Sequence, residues 1–199
     1  MNIAPDLQRH AAEFQRALQA GECEMTAEGI LFPRQHALVG GVYTHNVNGE
    51  DEQTDHNLVT TEGLNYMLNV ALRPTTVEAG WYLALFGGNV SPLATWTAAN
   101  FVANSSEITS TTAGYSESTR RGYVPAAASA GAITNTVSKA VFTIASSSTL
   151  AVYGGALVSS PTRGGGAGVL MSASKFAAVR NLENADVFNL GYSLTLTSA

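Results

Sequence analysis

The apolar positions along this chain change period several times, and each change predicts a different element. Residues 5 to 20 carry Leu7, Ala11, Phe14 and Leu18 at steps of four, three and four, with Arg9, Glu13, Gln15 and Arg16 off that stripe. This spacing predicts an amphipathic helix, with a stripe narrow enough to dock on one partner rather than sink into a core. Pro5 suits the first helical position and Gly21 the residue just past the end. Docking on its own domain and docking on a neighbouring chain both stay open.

From Ala37 to Leu58 the pattern is that of a hairpin: Val39, Tyr43 and Val47 lead into the turn dipeptide Asn48-Gly49. Glu50, Asp51, Glu52 and Asp55 follow as an acidic rim. A helix is predicted at about 61–72. Thr60 or Thr61 can cap it, Glu62 complements the dipole in its first turn, and Pro74 stops it beyond Arg73. Leu64, Met67, Leu68, Ala71 and Leu72 recur at helical spacing and form its expected buried face. In Trp81–Phe86, Trp81, Leu83 and Leu85 point one way and Tyr82, Ala84 and Phe86 the other. Both sets are apolar, which predicts an inner strand covered on both sides.

Residues 89 to 136 have the weakest pattern. Pro92, Trp96 and Phe101 suggest a short helical turn packed by its aromatics, residues 104–112 a loop or polar edge strand, and residues 126–132 are small and featureless. Long irregular stretches in a compact domain are often contact surfaces, so this region is the expected place for neighbour contacts. Strands are predicted at 140–145, 150–159 and 169–179, with turns at 146–149 and 161–168. A last strand has Phe188, Leu190, Tyr192, Leu194 and Leu196 at period two. With no βαβ alternation, the chain reads as mainly β. The expected fold is an antiparallel β-sandwich or barrel-like domain with one inserted α-helix at about 61–72 and an N-terminal α-helical arm. The arm is placed at 1–22 and the β-rich domain at 23–199.

The block Asn57-Leu-Val-Thr-Thr-Glu-Gly-Leu-Asn-Tyr-Met-Leu-Asn-Val-Ala-Leu72, followed by Trp81-Tyr-Leu-Ala-Leu-Phe86, resembles a family of tailed-bacteriophage virion proteins. Members of that family run from such a helix and strand into an Ala/Ser/Thr-rich β domain, and the resemblance extends from about Gly41 to the C-terminus. It implies a structural component of the particle. The expected role is capsid decoration or cement, bound to the major capsid protein or other virion subunits and self-associated in the particle. The alternatives are a tail or fibre-attachment protein and a glycan-binding module on the virion, in which Trp81, Trp96 and several tyrosines would stack on sugars.

Composition sharpens this picture. Hydrophobic residues make up 45% of the 199, while charged residues make up 13%, about half the ~25% usual in soluble domains. Interface cores are depleted of charge, so this deficit favours a subunit that covers its surface with neighbours. A net charge of -5 argues against sequence-independent nucleic-acid binding. Cys23 is the sole cysteine, which rules out an intrachain disulfide and multi-cysteine zinc sites. No signal peptide and no membrane-length apolar run is visible. Synthesis in the host cytoplasm followed by incorporation into the virion is therefore expected.

Candidate chemistry is sparse, and neither an enzyme activity nor a cofactor is expected. The run Arg163-Gly-Gly-Gly-Ala-Gly168 lacks the Lys and Ser/Thr of a phosphate loop and the dinucleotide spacing, and is expected to be a flexible hairpin loop. His45, Asp51, Asp55 and His56 are the one metal-like set. Asp55 and His56 are adjacent and so point to opposite faces of a strand, which favours a solvated acidic turn over a weak Ca²⁺ site. Cys23 and His36 can in principle pair, although a lone buried thiol is the commoner fate. Glu107, Glu117, Glu183 and Asp186 sit in turn-like sequence with no sign of a glycosidase pair. The doublet Arg120-Arg121 could meet an acidic patch on a neighbour and set register. The expected contact residues are therefore Leu7, Phe14 and Leu18 on the arm, Trp96, Phe101 and Tyr115 in the loops, and Arg120 and Arg121.

Overall fold

The structure, a computed structural model, describes residues 5–25, 27–33 and 37–198, and the side chains of all these except 5–9 and 31–33. The chain is mainly β, with antiparallel sheets and three helices. It divides into two compact units, one of residues 1–38 with 197–199 and the other of residues 39–196.

The smaller unit contains α1 (Pro5–Gln19) and the antiparallel pair β1 (Cys23–Met25) and β2 (Leu31–Pro33). Gly21 ends the helix as its position predicts. It sits at φ +73°, and the N–H groups of Gly21 and Glu22 donate to Leu18 O and Ala17 O at 3.1 and 2.8 Å. The β1–β2 pair groups with the helix in this unit, which reaches Leu38.

The larger unit is built on β3 (Ala37–Val47), β4 (Glu50–His56), β5 (Leu58–Val59), α2 (Thr61–Leu72), β6 (Tyr82–Phe86), α3 (Ala98–Ser105) and β7 (Gly114–Tyr115). It continues with β8 (Arg121–Gly122), β9 (Ala132–Thr134), β10 (Ala140–Ala145), β11 (Leu150–Val158), β12 (Leu170–Leu182) and β13 (Val187–Ser198). One sheet runs β4-β3-β13-β10-β7, with β9 also on β13; the other runs β5-β12-β11-β6-β8. Neither sheet closes on itself, so the barrel alternative falls and a sandwich-like pair of open sheets remains.

The two sheets share one core. Tyr43, Phe142, Phe188 and Tyr192 from the first meet Leu83, Leu85, Val152, Leu157 and Phe176 from the second. Each such side chain contributes about 1.5–3 kcal/mol by leaving water. The five-stranded sheet is also covered on its outer face, where Ala84, Phe86, Ala156, Val158 and Ala173 pack on Trp96, Ala98 and Phe101. This is the two-sided burial that the apolar pattern of Trp81–Phe86 predicts. The expected helical turn near Phe101 is a full eight-residue helix, α3, and so a second inserted helix.

The hairpin follows its turn chemistry. Asn48 and Gly49 sit at φ +53° and +83°, as a tight hairpin turn requires. The Asn48 side chain ties that turn to β13 by donating to Asp186 Oδ1 at 2.9 Å and accepting from Val187 N–H at 2.8 Å. The period-two face of β13 is buried from Phe188 to Tyr192 and then fades, since Leu194 is half-buried and Leu196 exposed.

Helix α2 has the expected bounds but not the expected orientation. Thr60 is its cap, accepting from Gly63 N–H at 3.0 Å. The buried residue of the helix is Gly63, flanked by half-buried Tyr66 and Met67, whereas Leu64, Leu68 and Leu72 are exposed. Gly63 decides this: a Cβ there would sit 2.4 Å from Met171 O and 2.8 Å from its Cα, so only glycine lets the helix lie this close to β12. Glu62 does more than favour the dipole. Its Oε2 accepts from Ala98 N–H at 2.8 Å and Leu170 N–H at 2.7 Å, joining α2, the start of α3 and β12.

Candidate functional site

Two ionic clusters, centred on the buried pairs Arg120–Glu107 and His45–Asp55, draw most of their hydrogen bonds from within the chain, while Arg163 Nε and the Tyr115 hydroxyl are buried without a partner among the described residues. Arg120 grips Glu107 bidentately, Nε to Oε1 at 2.7 Å and Nη2 to Oε2 at 2.8 Å. Its remaining donors reach Ser160 O and Gly165 O, both at 3.0 Å, while Gly164 N–H donates to Glu107 Oε2 at 2.9 Å. Arg163 donates to the carbonyls of Ile108, Ser110, Tyr115 and Glu117 and lies over the Tyr115 ring at 3.7 Å. The glycine run at 164–168 is thus a pinned loop rather than a flexible one, stapled to residues 107–120 by two arginines.

The second cluster spans the sheets. His45 Nε2 and Asp55 Oδ2 are 2.8 Å apart, and Arg180 Nε donates to His45 Nδ1 at 3.1 Å. Because Nδ1 accepts, the proton sits on Nε2 and the imidazole is neutral. Asp55 Oδ1 accepts from Ala177 N–H at 2.7 Å, and Arg180 continues to the side chain and backbone of Asp51. The expected solvated acidic turn is therefore corrected at Asp55, which is buried and fully engaged, while His56 points to the opposite, exposed side. Among the described residues no group of three or more His, Cys, Asp and Glu is placed to hold a metal ion. Cys23 is a free, half-buried thiol, and His36 lies outside the described residues.

Burial pushes the His45 pKa below its ordinary value, against the opposing pull of Asp55. The unfolded chain then binds a proton first as pH falls. Stability contributed by the neutral ring is complete above about pH 6.5 and declines below it, by at most about 1.4 kcal/mol per pH unit for one proton. Thermal melts between about pH 7.5 and 5 should show this fall, and His45→Gln should flatten it. An equal slope in both proteins would remove His45 as the cause.

Four of the eight expected contact residues face inward. Trp96, Phe101, Tyr115 and Arg120 are buried in the chain's own core, which withdraws them as a partner surface, because they present almost no area to a neighbour. Arg121 is half-buried and its Nε makes no hydrogen bond to the protein. On the arm, Phe14 is 51% exposed and Leu18 half-buried, whereas the side chain of Leu7 lies outside the described residues. Glu107, Arg163 and Arg180 carried no local signal, since each acquires its role only from partners far along the chain.

Among the described residues, α2 carries two adjoining surface features. Leu64, Leu68 and Leu72, at i, i+4 and i+8, form an apolar ridge in which Leu68 is 58% and Leu72 79% exposed, and exposed Val77 follows in the next segment. Immediately beside that ridge, Thr61, Asn65, Tyr66 and Asn69 line a groove of about 560 Å³ with residues 94–97. The chain matches no protein-family model and no curated protein.

Proposed function

We propose that the chain is a structural subunit of a tailed-bacteriophage particle, acting as a capsid decoration or cement protein that binds the major capsid shell and bridges neighbouring capsomers. The observation that carries this reading is the leucine ridge of α2. It lies inside the block that bears the family resemblance, and it leaves large apolar side chains in water where a self-sufficient monomer would place charge. The sparse charge of the whole chain supports the same role, and the strongest ionic groups are spent internally. The mechanism is multivalent: many modest interfaces, repeated by the symmetry of the shell, resist internal pressure together. No reaction is involved.

The test is to sediment purified particles made with a tagged chain and count the copies bound. On the order of hundreds per particle are expected, as shell symmetry requires. A dozen or fewer would put the chain in the tail instead, and absence from particles would end the proposal.

A further inference from the structure

The groove beside α2 has a chemistry that the structural role does not use. Thr61, Asn65 and Asn69 recur every four residues on one side of the helix and line it together with Thr95 and Trp96. Among the described residues nothing hydrogen-bonds the side-chain amides of Asn65 or Asn69, and both residues are exposed. The one ionisable acid in the lining, Glu62, has its Oε2 occupied by the N–H groups of Ala98 and Leu170. Half-buried Tyr66 supplies aromatic carbon, and its hydroxyl is turned to Glu78 N–H at 2.8 Å.

The geometry points to a neutral oligosaccharide site in this groove. A primary amide presents two donors and one acceptor, the set needed to hold adjacent sugar hydroxyls, and the groove offers two amides one helical turn apart with threonine hydroxyls beside them. Aromatic carbon next to these groups suits the C–H face of a pyranose ring. A purely apolar ligand would strand the amides without water or partner. An acidic glycan would meet the Glu62 carboxylate, and no cation lines the groove to offset it. The volume of about 560 Å³ falls in the range of small-ligand sites. The site shares the exposed face of α2 with the leucine ridge, Asn65 standing three residues before Leu68 and Asn69 three before Leu72, and it is told apart from particle binding by its ligand.

The full chain is screened on an array of neutral and acidic glycans, and the best neutral glycan is then titrated while Trp fluorescence is followed. Binding to a neutral glycan is expected, weakened at least about tenfold in Asn65→Ala/Asn69→Ala, with an unchanged thermal melt because both residues are exposed. Trp96 lines the groove, so its emission should change on binding. No signal on neutral glycans, a preference for acidic ones, or undiminished binding by the asparagine variant would each overturn the site. None of those outcomes touches the particle proposal, whose failure would show instead as loss of sedimentation with particles.

Discussion

Replacing Glu107 by glutamine is expected to cost about 3–5 kcal/mol of folding stability, because it strands the Arg120 guanidinium inside the protein without its counter-charge. Both side chains of the pair are fully buried. A carboxylate receives Arg120 through both oxygens and also takes Gly164 N–H. An amide has one oxygen, so its NH₂ must face either the guanidinium or another N–H, donor against donor. The loss should appear in urea unfolding as a lower midpoint with an unchanged slope. Glu107→Leu combined with Arg120→Met should recover more than half of it, since no unpaired charge is then left, although Ser160 O, Gly165 O and Gly164 N–H lose their partner. A loss below about 1 kcal/mol for Glu107→Gln would mean that the pair does not anchor the loop as its geometry indicates.

Changing Leu68→Glu together with Leu72→Lys should leave folding within about 0.5 kcal/mol of the parent, because both positions are exposed. Glu four residues before Lys is a favourable pair on a helix, and the cation falls in the last turn, where the dipole prefers it. Net charge does not change. If the ridge is the particle-binding surface, the same two charges must lose water in the interface, and particle affinity should fall by about 100-fold or more, since two desolvated polar groups cost about 1–3 kcal/mol each. Multivalency makes the drop in occupancy steeper still. Competition between parent and variant for the same particles reads this directly. Equal occupancy would take the ridge out of the interface.

Much of the fold is legible from local pattern. The helix at 61–72, the Asn48-Gly49 turn, the strand at 140–145 and the two-sided burial of Leu83–Phe86 each follow from spacing and turn chemistry within a few residues. The orientation of α2 does not. Five apolar residues at helical spacing argue for burying Leu64, Leu68 and Leu72, yet the glycine at 63 permits a closer approach than any leucine, and that contact turns the ridge outward. Likewise Trp96, Phe101 and Tyr115 sit in irregular sequence that suggests exposure. They are buried because α3 and the loop pinned by Arg163 fold over the sheet.

The amino-acid sequence by itself determined the β character of the chain, the bounds of the helix at 61–72 and of the strand at 140–145, and a charge content too low for an ordinary free surface. Those properties depend on periodicity, turn residues and composition, all of which are local or summed along the chain. Only the tertiary structure decided that Arg120 and Asp55 are internal, that the glycine run is stapled, and that α2 turns its leucines outward beside its asparagines. Each of these outcomes depends on which distant residue arrives opposite, such as Glu107 for Arg120 or Met171 for Gly63, and one-dimensional spacing carries no record of that meeting.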